Sequence, residues 1–132
     1  MDDWWSKYVG INFKEKGRSL DGLDCWGLVR LVYNLDLNIE LPSYLDQYNT
    51  TNDRDALAEL ITAEKESKWQ SVDQPQEFDV IILRMRGVPM HVGLVTYGKN
   101  MIHSARGVGV SHEPFNNLRW KDKVLGYARY SK

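Results

Sequence analysis

The stretch that decides the fold is Gly22-Leu23-Asp24-Cys25-Trp26-Gly27-Leu28-Val29-Arg30-Leu31-Val32-Tyr33, which contains the only cysteine of the chain. Asp24 is a typical N-cap residue, and the apolar positions that follow it recur with the spacing of one helix face: Cys25, Leu28, Val29, Val32 and Tyr33. The spacing predicts a helix that begins at Cys25, ends near Asn34 and turns the thiol toward the surface on which it packs.

The position of Cys25 allows two interpretations. The start of a helix favours a thiolate, because its unpaired N–H groups and its macrodipole stabilise negative charge. Cys25 is therefore a candidate nucleophile. A single cysteine is also common as a small buried apolar residue. The sequence around Cys25 leaves both interpretations open.

The composition of the 132 residues indicates a single globular domain over residues 1–132. With 17 basic and 18 acidic residues, the net charge of −1 gives no reason to expect a nucleic-acid partner. No apolar run approaches the roughly 18 residues needed to cross a bilayer, and the N-terminal residues lack the apolar segment of a signal peptide. We therefore expect no membrane insertion, and synthesis in a cytoplasm without a leader.

Helical patterns precede strand patterns along the chain. A short helix or turn over residues 2–9 and a loop over 11–23 lead to the cysteine helix, and a second helix is predicted over 53–66. Five segments with strand character follow, namely 78–85, 91–97, 101–104, 108–111 and 124–130. This order predicts an α+β fold, in which the cysteine helix packs on a C-terminal antiparallel sheet of about five strands.

All three histidines lie in the strand half of the chain. If the strands on either side of Gly98 pair as a hairpin, His91 and His103 lie on neighbouring strands near one end of the sheet. A thiol nucleophile needs a base, and an imidazole base needs a third polar group to fix its tautomer. Cys25, His91 and His103 can fill these roles in that order. His112 is predicted to be a surface-loop residue without a role.

The same three side chains could instead bind zinc. They lack the short paired spacing that is typical of zinc ligands, so we expect no metal and no cofactor. Phosphate-binding glycine loops, serine nucleophile elbows and paired catalytic carboxylates are absent from the sequence.

Four blocks of sequence, in this order, resemble the NlpC/P60 family of papain-like cysteine peptidases, and more narrowly its short members encoded with phage tail proteins. The blocks are Gly22 to Val29, Phe78-Asp79-Val80, His91-Val92-Gly93-Leu94-Val95 and Met101-Ile102-His103-Ser104. The resemblance extends from about residue 8 to residue 130 and implies a papain-like NlpC/P60 fold. It differs from the usual family pattern at Trp26, where a small residue is common, and at Phe78, where many members have glycine.

The resemblance also implies roles for individual residues. The nucleophile of the family falls on Cys25, its base on His91 and its third polar residue on His103. Four further residues of the blocks are predicted to support the site or bind substrate: Asp24, Trp26, Asp79 and Ser104.

Members of this family cleave amide bonds in the stem peptides of bacterial cell walls, typically between D-glutamate and a diamino acid. The resemblance therefore implies a peptidoglycan endopeptidase that associates with phage tail tip proteins and is located in the virion tail. Two alternatives stay open. One is a non-enzymatic tail tip component with an occluded triad, and the other is an amidase or acyltransferase that uses the same triad.

Overall fold

The computed structural model describes residues 3–41, 69–85 and 88–131. The predicted helix over 53–66 lies outside these ranges. The described elements confirm the α+β fold class, and in chain order they are a 3-10 turn Ser6–Tyr8, β1 Arg18–Ser19, β2 Gly22–Leu23, α1 Cys25–Leu37, β3 Trp69–Val72, β4 Val80–Met85, β5 Val88–Val95, β6 Asn100–Ala105, β7 Gly109–Pro114 and β8 Val124–Tyr130.

Helix α1 begins at Cys25, as predicted, but continues one turn beyond the predicted end at Asn34. Asn34 is exposed, so its polar side chain faces solvent and does not end the helix. The helix instead ends at Asn38, which adopts a left-handed conformation with φ +57°. The N–H of Ile39 then donates to the carbonyl of Tyr33 at 2.9 Å, which satisfies one of the last helical carbonyls.

The main sheet has six antiparallel strands in the order β3-β8-β4-β5-β6-β7, one more than the predicted five. The additional strand is β3, which pairs with β8 so that Trp69 lies opposite Tyr130. This edge strand is only four residues long, and it forms through pairing with the end of the chain. Its own short sequence carries too little periodicity to predict it.

Two further predictions about the strands were wrong in detail. The loop over 11–23 contains the small hairpin of β1 and β2, in which Arg18 pairs with Leu23. Strand β5 begins at Val88, before the predicted start at His91. Pro89 lies in the part of β5 that precedes its register with β6, which begins at Leu94.

The sheet carries an apolar core on each face. The larger core lies between α1 and the sheet and contains the buried side chains Leu28, Val29, Val32, Val92, Leu94 and Ile102. The smaller core contains Ile81, Leu83, Val95, Met101, Phe115 and Trp120. Helix α1 packs on β5 and β6, the strands that carry His91 and His103, and on the β1/β2 hairpin.

Candidate active site

Asp24 fixes the start of the cysteine helix. Its Oδ1 accepts hydrogen bonds from the N–H of Gly27 at 2.7 Å and from the guanidinium of Arg18 at 2.8 Å. Its Oδ2 accepts from the N–H of Lys16 at 3.1 Å. Because Asp24 is fully buried, these three donors replace water around its carboxylate. Asp24 is therefore the helix cap and ties the preceding loop to the first turn.

Cys25 is the first residue of α1 and is 1% exposed. Gly27 brings the preceding loop close to this turn, because a methyl group at Gly27 would lie 2.0 Å from the carbonyl oxygen of Gly17. The hydroxyl of Ser104 donates to the carbonyl of Leu23 at 2.7 Å. Ser104 therefore joins β6 to Leu23, two positions before the thiol.

The two predicted site histidines lie side by side. His91 Nε2 and His103 Nδ1 are 2.9 Å apart in a hydrogen bond, and each residue is 1% exposed. Gly93 makes room for this arrangement, because a methyl group there would lie 3.0 Å from the Cβ of His103. His91 is not at a strand start, as the sequence indicated, but lies within β5 opposite Leu83.

The hydrogen-bond chain continues to Glu113, which the sequence analysis missed. His103 Nε2 lies 2.6 Å from Glu113 Oε2, and the Arg119 guanidinium lies 3.6 Å from Oε1. The hydrogen bond from His103 lowers the pKa of Glu113 below its usual value of 4.5. The predicted strand ended at Ser111, whereas β7 continues to Pro114. In the register of β6 with β7, His103 lies opposite Ser111, which places Glu113 within diagonal reach.

Trp120 covers the paired imidazoles. Its ring is nearly parallel to that of His91 at a centroid distance of 6.4 Å and meets the ring of His103 edge-on at 5.3 Å. Trp120 is itself buried, and the Arg119 guanidinium lies 4.8 Å from its ring centroid. Trp120 therefore helps to shield the two histidines from water. In such a buried environment a hydrogen bond to an ionised group is stronger than in solvent.

The other two predicted supporting residues lie in structural contacts. Asp79 binds Arg129 through two hydrogen bonds of 2.9 and 2.8 Å and accepts another from the N–H of Gln76 at 2.7 Å. Trp26 is fully buried, and its ring meets that of Trp69 edge-on at 6.3 Å. Trp26 thus holds the start of α1 in the core, and Asp79 holds the chain directly before β4.

His112 is not the loop residue that the sequence indicated. It lies in β7 and is half-buried, because the N-terminal segment folds over the sheet and stacks Trp5 on the His112 ring at a centroid distance of 3.8 Å. His112 Nε2 shares a hydrogen bond of 2.9 Å with the hydroxyl of Thr96. Burial lowers the pKa of His112 below its usual value of 6.5.

Two searches of the described residues bear on other kinds of site. Within residues 3–41, 69–85 and 88–131, no group of three or more His, Cys, Asp or Glu side chains is arranged to hold a metal ion. In the same part of the chain, no helix combines the length and apolar character needed to span a membrane.

The sequence pattern of the family described as "NlpC/P60 family" matches residues 10–129, which is nearly the whole chain. The chain belongs to the NlpC/P60 family. Murein DD-endopeptidase MepS/Murein LD-carboxypeptidase of Escherichia coli strain K12 is 21% identical to it over 123 residues. The aligned part is 92% of this chain and 56% of that relative, so the chain spans little more than half the length of the curated relative.

Solved NlpC/P60 structures share the fold. A lipoprotein-like NLP/P60 family protein of Staphylococcus aureus Mu50 has a TM-score of 0.66 and 22% identity, covering 98% of this chain and 40% of that protein. The NlpC/p60 domain of the peptidoglycan hydrolase SagA has a TM-score of 0.63 and 21% identity, covering 98% of this chain and 93% of that domain. These similarities confirm the predicted NlpC/P60 fold.

The position before Asp79 carries a bulky residue in a backbone conformation that favours glycine. Phe78 has φ +75°, a left-handed conformation that costs a non-glycine residue about 1 to 2 kcal/mol. Its carbonyl accepts a 2.6 Å hydrogen bond from the Tyr33 hydroxyl, and its ring stacks on Trp4 at 4.2 Å. These contacts offset the backbone strain and fasten the N-terminal segment to the sheet.

Proposed function

We propose that this NlpC/P60 chain is a cysteine peptidase that hydrolyses amide bonds in peptidoglycan stem peptides. The observation that carries the proposal is the hydrogen-bonded pair of His91 and His103, buried in the strands on which the cysteine helix packs. In this proposal Cys25 is the nucleophile, His91 is its base and His103 orients His91.

The reaction follows from the chemistry of these groups. His91 removes the thiol proton, and the helix start stabilises the thiolate of Cys25. The thiolate attacks the amide carbonyl carbon, the C–N bond breaks as His91 donates its proton to the leaving amine, and a thioester forms. A water molecule that has given a proton to His91 then attacks the thioester, which releases the carboxylic acid and restores the thiol.

The proposed substrate class rests on the relatives and on the resemblance of the sequence blocks. The E. coli relative is named a murein endopeptidase and carboxypeptidase, and SagA is named a peptidoglycan hydrolase. Within peptidoglycan we propose the bond between D-glutamate and the diamino acid of the stem peptide.

The test is to incubate the full chain with purified muropeptides and to analyse the products by mass spectrometry. We expect a new free amine on the diamino acid and no new reducing sugar, because a thiolate attacks amide carbonyls and not glycosidic bonds. Cys25→Ala should be inactive, and His112→Gln should retain activity as a matched control. If the wild-type chain cuts no stem peptide although Cys25 is alkylated, the proposed substrate is wrong. Cleavage of another amide would favour the amidase or acyltransferase alternative.

We further propose that the protein acts in a phage tail, where tail tip proteins carry it to the wall. The resemblance to the short tail-associated members supports this proposal. Holding an enzyme at its substrate can raise the effective concentration into the millimolar range, so fusion to a wall-binding module should speed the clearing of intact walls. Proteomic analysis of purified virions should find the chain in the tail. Its absence from virions would contradict the proposal.

The burial of the site favours one competing function, a non-enzymatic tail tip component whose triad is occluded. Cys25, His91 and His103 are each only 1% exposed. An occluded site predicts that Cys25 resists alkylation in the folded protein and that muropeptides stay intact, whereas an enzyme must admit substrate to the thiol. The muropeptide assay therefore separates the two functions.

A further inference from the structure

We propose that Glu113 is a positioning residue of the site, which fixes the tautomers of both histidines so that His91 presents an unprotonated Nδ1 as the base. This proposal rests on the proposed function, since it concerns how the base of that reaction is prepared. It starts from the unbroken series of hydrogen bonds in which His91 Nε2 contacts His103 Nδ1 at 2.9 Å and His103 Nε2 contacts Glu113 Oε2 at 2.6 Å.

The proton positions follow from counting donors and acceptors along this series. An ionised carboxylate only accepts hydrogen bonds, so the proton between Glu113 and His103 belongs to His103 Nε2. A neutral imidazole carries one proton, which leaves His103 Nδ1 as an acceptor. The proton between the two rings must then belong to His91 Nε2, and His91 Nδ1 is left with its lone pair. One carboxylate at the end of the series therefore determines which nitrogen of His91 can accept a proton.

The surroundings of Glu113 keep it ionised and in place. The hydrogen bond from His103 lowers its pKa, and the Arg119 guanidinium lies 3.6 Å from its second oxygen. Its side chain is 20% exposed, whereas that of His103 is 1% exposed. The carboxylate thus lies at the boundary between solvent and the closed histidine pair, where it retains its charge while it orders the buried rings.

The geometry also fixes the orientation of the rings. His103 is held at both nitrogens, by His91 on one side and Glu113 on the other, and the rings of His103 and Trp120 meet edge-on at 5.3 Å. Without Glu113, His103 could carry its proton on either nitrogen, because its bond to His91 can form in both directions. In one of these states His91 Nδ1 is protonated and cannot act as a base.

Two substitutions at Glu113 test the proposal. Glu113→Gln removes the charge, and its amide can either accept from His103 Nε2 or donate to it. Donation would reverse both tautomers and protonate His91 Nδ1. Glu113→Ala removes the partner. Glu77→Gln is a matched control, because Glu77 also accepts a hydrogen bond from an aromatic-ring N–H but pairs with Trp4.

The first measurement is nitrogen NMR of the full chain labelled with 15N-histidine at a pH where the rings are neutral. The chain has three histidines, and His112 serves as an internal reference because it bonds Thr96. In the wild-type chain we expect the proton of His91 and of His103 on Nε2. In both Glu113 variants we expect a substantial Nδ1-protonated fraction at both residues, with His112 unchanged. Unchanged tautomers in both variants would overturn the proposal.

The second measurement is the kinetics of muropeptide cleavage by the same variants. Because Glu113 acts through the histidines, its loss should lower kcat by roughly 10- to 100-fold, as is typical for outer hydrogen-bonding partners, with KM nearly unchanged. Unchanged kcat in both Glu113 variants would overturn the proposal even if the tautomers moved. If the wild-type chain cuts no muropeptide, the proposed function fails, and the tautomers alone decide whether Glu113 positions the pair.

Discussion

His103 and His112 lie on the adjacent strands β6 and β7, yet they differ in whether the ring is hydrogen-bonded to a negatively charged group. His103 is held between a second imidazole and the carboxylate of Glu113. His112 pairs with a hydroxyl and stacks on Trp5, and burial lowers its pKa. A carboxylate can compensate for positive charge on a nearby ring, whereas a hydroxyl cannot. Both histidines are shielded from solvent, and the carboxylate at the end of the hydrogen bonds distinguishes His103 from His112.

The largest contrast between the two regions is expected from replacing His91, the proposed base. His91→Gln should lower kcat/KM for muropeptide cleavage by about 10²- to 10⁴-fold, which is the usual contribution of a general base. His112→Gln should leave kcat/KM within about twofold, because His112 lies outside the proposed proton path. Thermal melting of both variants serves as the folding control. Comparable losses of activity in two well-folded variants would remove the distinction between the regions.

A smaller effect is expected at His103, the proposed orienting residue. His103→Ala should lower kcat by roughly 10- to 100-fold, as is typical when an outer hydrogen-bonding partner is lost. His103→Asn should retain more activity, because the amide oxygen can still accept the hydrogen bond from His91 Nε2. Steady-state kinetics of the two variants would test this order. Equal losses would argue against an orienting role for His103.

The smallest effects concern stability. The pKa of His112 is lowered in the folded chain, so below pH 6.5 the unfolded chain binds a proton that the folded chain does not. The free energy of unfolding should therefore fall as the pH falls below about 6.5, and His112→Gln should flatten this slope.

The lowered pKa of Glu113 predicts a separate loss of stability below about 4.5, which Glu113→Gln should reduce. Urea titrations at several pH values would measure both slopes, and identical slopes in all three chains would contradict the assignment.

The parts of the structure that were predictable from sequence are those with a local physical cause. The start of α1 follows from Asp24 and from the spacing of the apolar residues after it. In the structure Asp24 is the N-cap and accepts a hydrogen bond from the N–H of Gly27. The proximity of His91 and His103 follows from a short hairpin about Gly98. The roles of these residues remain predictions.

The parts that were missed depend on contacts between distant segments. Glu113 reaches His103 only through the register of β6 with β7, and the local pattern ended that strand too early. His112 is covered because Trp5, more than a hundred residues away, folds over it. The edge strand β3 forms only by pairing with β8 at the end of the chain. Sequence periodicity describes each segment separately and carries no information about these pairings.

The central claim is that His91 takes the proton of Cys25 to form a thiolate–imidazolium pair, and the pH dependence of alkylation of Cys25 tests it most directly. Iodoacetamide should modify the wild-type folded chain with a titration midpoint well below the value of about 8.5 for an ordinary thiol. In His91→Gln the midpoint should move back toward 8.5, while in His112→Gln it should stay at the wild-type value. A wild-type midpoint near 8.5, or a thiol that reacts only after denaturation, would contradict the account and favour a buried structural cysteine.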